Sequence, residues 1–144
     1  MLTKDFKEFI KLLNAKKVEY LLVGGYAVIL HGYPRFTGDI DFWINPNSKN
    51  AKRMIEVLDQ FGFSSLKLTI DDFTHPDQII QLGHEPYRIY IITSVEGVSF
   101  NLCYSQKVVF HVDNIPIQTI SKEMLKKNKK AAGRFKDLDD FEHL

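Results

Sequence analysis

The sequence predicts a mixed α/β (α+β) protein in which helices pack on one face of a β-sheet. Segments with helical spacing of apolar residues alternate along the chain with short β-rich runs. An apolar run ends at the glycine pair Gly24-Gly25, as is typical of a buried strand that turns into a helix. Asp113-Asn114 separates two short β-rich runs and predicts a two-residue hairpin. No repeat or linker interrupts the pattern, so we expect a single domain over residues 1–144.

The first half of the chain is predicted to alternate helices and strands. Thr3 is a suitable N-cap, and the apolar residues after it recur at helical spacing. A turn at residues 45–48 leads into the next helix. The predicted elements of this half are a helix over Lys4–Ala15, a strand over 18–23, a short helix over 26–31, a strand over Asp39–Ile44 and a helix over 51–61.

The second half is predicted to begin with weaker strands and to end with two helices. Ser121 is a suitable N-cap for the first of these helices, and Gly133 is a suitable end. The predicted elements are a weak strand over 66–70, a loop over 71–77, strands over 78–82 and 87–95, a helical turn over 100–104, strands over Val108–Val112 and Ile115–Thr119, a helix to residue 132 and a short helix over 136–144.

Composition excludes several classes of protein. The chain is 44% apolar and 26% charged, with a formal net charge of +1, as is typical of a globular protein. No apolar run approaches the roughly 20 residues that span a bilayer, so we expect no membrane partner. Cys103 is the only cysteine, which excludes an internal disulfide, favours a buried inert thiol and predicts a cytoplasmic location.

Two aspartates in the second predicted strand are the strongest chemical signal. Asp39 and Asp41 are two residues apart, and side chains two apart on a strand project to the same side. Two converging carboxylates are costly unless a cation lies between them, and oxygen ligands suit Mg²⁺ or Mn²⁺. Gly24-Gly25 could present backbone N–H groups to a phosphate. The pattern therefore predicts a metal-dependent phosphoryl or nucleotidyl transferase.

Each of these residues also has a purely structural interpretation. The glycines could serve only a tight turn, Asp39 could be a turn residue, and Asp41 could pair with Arg35. Single histidines and aromatic residues are more typical of packing or turns than of ligand sites. His31, Tyr33 and Trp43 belong to that group, and His75, His84 and His111 lack metal-ligand spacing.

The combined segment GGYAVILHGYPRFTGDIDFWI resembles the active-site signature of the DNA polymerase-beta-like nucleotidyltransferase superfamily. It is most similar to small bacterial nucleotidyltransferase-fold proteins related to abortive-infection nucleotidyltransferase toxins. The segment SKEMLKKNKKAAGRFKDLDDFEHL also resembles that group, whose members end in a basic helix and a Lys/Arg-x-Lys/Arg-Asp motif. The resemblance covers nearly the whole chain and implies a nucleotidyltransferase fold.

The resemblance also implies roles for individual residues. Asp39 and Asp41 would be catalytic and would bind Mg²⁺ or Mn²⁺. The terminal motif would give Lys136 and Asp137 a catalytic role near the phosphates or an RNA. The remaining implied positions would contact the nucleoside triphosphate substrate. They are Gly24, Gly25, Arg35, Thr37 and Lys129.

Two positions depart from the superfamily pattern. Gly25 occupies a position that is commonly serine, which removes a hydroxyl. Tyr90 occupies the position of a third carboxylate on a later strand, and a phenol is a poor Mg²⁺ ligand and a poor base at neutral pH. Glu85 or Glu96 could replace that acid from a loop.

Three interpretations of function follow. The first is a nucleotidyltransferase that moves a nucleotidyl group from a nucleoside triphosphate to an RNA such as a tRNA-like end, a protein or a small molecule. The resemblance adds a toxin role, with an antitoxin-like protein as a partner. The second is a catalytically degenerate member that binds nucleotide, RNA or a partner protein, which Tyr90 favours. The third is an unrelated α/β protein with an incidental acidic turn.

Overall fold

The computed structural model describes residues 2–144, which form six helices and six strands. The helices are α1 (Lys4–Ala15), α2 (Gly24–Leu30), α3 (Ser48–Phe61), α4 (Phe100–Ser105), α5 (Lys122–Ala132) and α6 (Phe135–His143). The strands are β1 (Tyr20–Val23), β2 (Asp39–Ile44), β3 (Ile79–His84), β4 (Tyr87–Ile92), β5 (Val108–Val112) and β6 (Ile115–Thr119).

All six strands belong to one mixed sheet in the order β3-β4-β2-β1-β6-β5. Strand β2 lies near the centre, antiparallel to β1 and parallel to β4. Strands β1 and β6 are parallel, and the β3–β4 and β5–β6 pairs are antiparallel hairpins. The two acids of β2 are therefore flanked on both sides by paired strands.

The core lies mainly between the sheet and the pair α1 and α3. Phe9 of α1 packs against Phe42 of β2 and Phe61 of α3. Trp43 points to the opposite side of the sheet because side chains alternate along a strand, and there it contacts Phe100 of α4 edge-on. The expectation of helices on one face thus holds for α1 and α3, and α4 adds a smaller cover on the other face.

Most predicted elements are confirmed, including α1, β2 and the hairpin at Asp113-Asn114, whose two residues have positive φ angles. The predicted strand over 66–70 is wrong, and two 3₁₀ turns, Ser64–Leu66 and Ile70–Phe73, occupy this region and the start of the predicted loop. The Asp72 carboxylate accepts a hydrogen bond from the Thr69 backbone N–H over 2.7 Å, which caps the second turn. This local cap holds the segment in a helical turn instead of an extended strand.

Boundaries elsewhere differ by a few residues. Helix α3 begins at Ser48, before the predicted 51, because the Asn47 side chain caps it by accepting from the Asn50 N–H over 2.8 Å. Strand β4 ends at Ile92, before the predicted 95.

Two further expectations concern Cys103 and the membrane. Cys103 is buried, as predicted, and burial raises the pKa of its thiol. Over residues 2–144, none of the helices has the length and apolar character needed to cross a membrane.

Candidate active site

Gly24 brings the backbone into close contact with Asp41. Gly24 has a φ of +70°, and a Cβ atom there would lie 2.2 Å from Oδ2 of Asp41. Only glycine combines this left-handed backbone with such an approach. The end of β1 and the start of α2 are thus built around the Asp41 carboxylate.

Asp39 and Asp41 lie on one face of β2, as predicted. Their register partners on β4 are Arg88 and Tyr90, so four alternating positions of two parallel strands share this face. Arg88 Nη1 lies 4.0 Å from Oδ1 of Asp39, which is a long salt bridge. The two aspartates thus lie on one strand face beside the glycine turn, as predicted, and the binding of a metal by the pair stays a prediction.

The electrostatic environment of Asp41 fits a site for a cation. Burial and the nearby charge of Asp39 raise the pKa of Asp41 to about 6, against the weaker opposing effects of Lys129, Lys136 and Arg134. In the described part of the chain no lysine or arginine forms a salt bridge with Asp41. The suggested pair with Arg35 is absent because Arg35 bonds Asp140 instead.

A cleft of about 730 Å³ opens over Asp41 and Gly24. This volume is within the range of roughly 300–1,000 Å³ that small-molecule sites occupy. One wall comes from the sheet, and the opposite wall comes from α5, the start of α6 and the loop after β4. The side chains that line these walls include Asp77, Tyr90, Ser94, Glu96, Asn128, Lys129, Arg134 and Asp137.

Tyr90 lies directly opposite Asp41 in the β2–β4 register and lines the cleft, so the phenol occupies the place expected for a third carboxylate. Its hydroxyl donates a hydrogen bond to Oε1 of Gln81 over 3.3 Å. Within residues 2–144, no group of three or more His, Cys, Asp or Glu side chains is arranged to hold a metal ion. The acid pair therefore has no third carboxylate within coordinating distance.

A cluster of charges around two buried carboxylates supports the other wall of the cleft. Nζ of Lys129 lies 3.3 Å from Asp137 and 3.1 Å from Asp140, and both carboxylates are only 1% exposed. Arg35 bonds Asp140 from the loop before β2, and Nε of Arg134 donates to Asp137 over 2.6 Å. Burial alone would raise the pKa of Asp137, but Arg134 and Lys129 outweigh it and hold that pKa below its usual value. We call these five residues the charge cluster.

The residues that were predicted to bind nucleotide differ in whether they line the cleft. Lys129 lines the cleft within the charge cluster, whereas Arg35 belongs to the cluster without lining the cleft. Thr37 packs over Gly25, where an added Cβ would lie 3.2 Å from the Thr37 side chain.

The two residues that were taken from the terminal motif differ in exposure. Lys136 is exposed and acts on Asp41 only through its charge, whereas Asp137 is buried and lines the cleft. Their catalytic and binding roles stay predictions.

Sequence reasoning missed Asn128 and the wall formed by Ser94 and Val95. Asn128 precedes Lys129 on α5 and is one turn from Ala132, so helical periodicity places it on the cleft side. The loop carries no motif, and only its contact with α5 brings it to the cleft.

Comparisons with known proteins show the fold. No protein-family model matches the sequence, and no curated protein matches it. Among solved structures, the chain is similar to the crystal structure of a "putative nucleotidyltransferase" from Thermotoga maritima, with a TM-score of 0.62 and 13% identity over 95% of this chain and 88% of the other. The chain therefore has a nucleotidyltransferase fold, which confirms the predicted fold class.

Proposed function

We propose that the cleft binds a nucleoside triphosphate with Mg²⁺ or Mn²⁺ and that the protein transfers a nucleotidyl group to an acceptor. The observation that carries this proposal is the Asp41 carboxylate held against Gly24, with Asp39 on the same strand face. Carboxylate oxygens are the ligands that these cations prefer. A bound cation would also offset the repulsion and desolvation that raise the pKa of Asp41.

The surrounding residues suit a triphosphate. Gly24 lines the base of the cleft, and its backbone and that of the next residue, Gly25, would contact the phosphates, as the superfamily resemblance implies. Lys129 and Arg134 lie on the opposite wall, and the charge cluster to which they belong has three cations against two carboxylates. When bound, the divalent cation would neutralise charge on the departing pyrophosphate.

The acceptor and the biological role rest on resemblance. An RNA such as a tRNA-like end, a protein hydroxyl or a small molecule could each receive the nucleotidyl group. The likeness of the sequence to abortive-infection nucleotidyltransferases supports a toxin role, with an antitoxin-like protein as its partner. A reducing cytoplasm suits a chain with one buried cysteine.

A second candidate function has its own supporting observation. Tyr90 lies opposite Asp41, and the described residues provide no three-acid metal group. Both facts favour a catalytically degenerate protein that binds a nucleotide, an RNA or a partner protein without transfer. Nucleotide binding alone is compatible with both candidates, and measured transfer separates them.

Calorimetry with each of the four ribonucleoside triphosphates, with and without Mg²⁺, tests the proposed site. We expect Mg²⁺-dependent binding by the wild type and at least about tenfold weaker binding by Asp41→Asn, because the substitution removes one charged oxygen ligand with little change in volume.

Asp71→Asn is the matched control, since Asp71 is an exposed aspartate on the second 3₁₀ turn and does not line the cleft. Its binding should equal that of the wild type. Equal Mg²⁺-dependent affinity in Asp41→Asn and the wild type would contradict the assignment of the metal site.

A further inference from the structure

The proposed transfer needs a base to activate an acceptor hydroxyl, and two glutamates flank β4. Glu85 lies in the β3–β4 turn, where it forms a salt bridge with Arg88, and it does not line the cleft. Glu96 lies in the loop between β4 and α4 and lines the same cleft as Asp41 and Tyr90. Both glutamates are candidates from the sequence to replace the third carboxylate, and the structure places only Glu96 at the cleft.

The loop that carries Glu96 is fixed against α5. Nδ2 of Asn128 donates a hydrogen bond to the Glu96 carbonyl oxygen over 3.0 Å. The next residue, Gly97, has a φ of +81°, and a Cβ there would lie 2.5 Å from Cβ of Ala131. The backbone thus touches α5 closely, and this contact places Glu96 at the edge of the cleft.

The negative charges of Glu96 and Asp41 both stabilise the charged guanidinium of Arg134. The hydrogen bond and charge of Asp137 raise the pKa of Arg134 most, and the charges of Glu96 and Asp41 raise it further. Glu96 does not join Asp39 and Asp41 in a three-acid metal group. A carboxylate on a residue that lines the cleft, and that is not grouped with the acid pair as a metal ligand, suits a base that acts on a substrate bound in the cleft.

We propose that Glu96 is the general base for the acceptor, in place of the strand carboxylate that Tyr90 replaces. This inference rests on the proposed nucleotidyl transfer. The Glu96 carboxylate takes the proton from the acceptor hydroxyl, and the oxygen forms a bond to the α-phosphorus of the nucleoside triphosphate. The bond from that phosphorus to the bridging oxygen of pyrophosphate breaks, and pyrophosphate leaves with the electron pair.

The test compares the wild type with Glu96→Gln and with Glu85→Gln as the matched control. Each protein is incubated with Mg²⁺ and each labelled ribonucleoside triphosphate, and transfer into total RNA and total protein is measured. Calorimetry on the same samples measures Mg²⁺-dependent nucleotide binding. We expect Glu96→Gln to lose on the order of 10²-fold in transfer rate, the scale of a positioned base, while its nucleotide affinity stays within about twofold of wild type. Glu85→Gln should match the wild type in both measurements.

A pH series separates a base from a structural residue. Between about pH 7 and about pH 9, the Glu96→Gln rate should rise steeply because hydroxide replaces the missing base, while the wild-type rate should change little. A Glu96→Gln variant that transfers nucleotide at the wild-type rate would overturn the role of Glu96. So would a variant whose transfer rate falls while its pH profile stays the same as that of the wild type. If the wild-type protein binds nucleotide but transfers none, the role of Glu96 is also overturned, and the proposed binding site is unaffected. An absence of nucleotide binding by the wild type would overturn the proposed function itself, and the role of Glu96 with it.

Discussion

At the scale of single residues, Asp41 is held in an unfavourable electrostatic state. It is partly buried against Gly24, close to a second carboxylate, and no salt bridge to it exists in the part of the chain that the structure describes. These conditions raise the pKa of Asp41 to about 6. The charged form of Asp41 therefore destabilises the fold locally, as titratable groups at functional sites commonly do.

The raised pKa predicts how stability changes with pH. In the unfolded chain Asp41 loses its proton near its ordinary pKa, while the folded protein keeps the proton until about pH 6. The protonation of Asp41 therefore contributes fully to the unfolding free energy below the pKa that Asp41 has in the unfolded chain. This contribution is lost as the pH rises to about 6. The loss is about 2–3 kcal/mol of unfolding free energy, because each tenfold difference in proton affinity between the folded and unfolded states corresponds to about 1.4 kcal/mol.

Asp41→Asn removes this titration, so we expect the variant to gain stability relative to the wild type between about pH 4 and about pH 6 and to stay more stable at neutral pH. Urea denaturation of both proteins with a chelator across this range measures the difference. Parallel pH profiles of the unfolding free energy in the two proteins would contradict the electrostatic account of Asp41.

At the scale of elements, local signals predicted most of the fold. Thr3 and the spacing of apolar residues gave α1 its bounds, and the Asp113-Asn114 turn identified the β5–β6 hairpin. The acid pair was also predictable, because i, i+2 alternation is a local property of β2. The wrong strand at 66–70 arose because the Thr69–Asp72 cap overrides the β-rich composition of that segment.

The contact between β1, α2 and β2 predicts a specific effect of Gly24→Ala. The new Cβ would lie 2.2 Å from the Asp41 carboxylate, and alanine would be strained at a φ of +70°. We expect a loss of more than about 2 kcal/mol of stability and a loss of nucleotide binding, because Asp41 must move.

Gly32→Ala is the control for backbone strain alone. Gly32 has a φ of +107°, with no atom within 4 Å of an added Cβ. We expect it to lose stability through strain but to keep nucleotide binding, as measured by denaturation and calorimetry. Equal nucleotide affinity in Gly24→Ala and Gly32→Ala would show that the close contact with Asp41 does not matter for binding.

At the scale of the whole molecule, the charge cluster connects the loop before β2 with the last helix, α6. Arg35, in the loop before β2, and Asp140, on the last helix, are 105 residues apart in the sequence. Tyr33 in the same loop also donates to Asp139 over 2.9 Å and stacks on His143. The sequence could not predict these pairs, because each charged residue had several possible partners and only the tertiary fold selects among them.

The cluster predicts that Asp140→Asn is strongly destabilising. It removes the carboxylate that Arg35 and Lys129 share and leaves a buried lysine and a mostly buried arginine with less compensation. We expect a loss of about 3 kcal/mol or more of unfolding free energy. Asp139→Asn changes the adjacent, exposed carboxylate and should cost less than about 1 kcal/mol. Similar denaturation midpoints for the two variants would contradict the structural importance of the cluster.

The central claim is that Asp39 and Asp41 form a cation site at the base of a nucleotide-binding cleft. A crystal structure with Mn²⁺ and a non-hydrolysable nucleoside triphosphate analogue tests it most directly, because Mn²⁺ is located by its anomalous scattering. We predict an anomalous peak roughly 2 Å from carboxylate oxygens of both aspartates, with the triphosphate beside Gly24. Nucleotide bound elsewhere, or Mn²⁺ bound away from both aspartates, would contradict the claim.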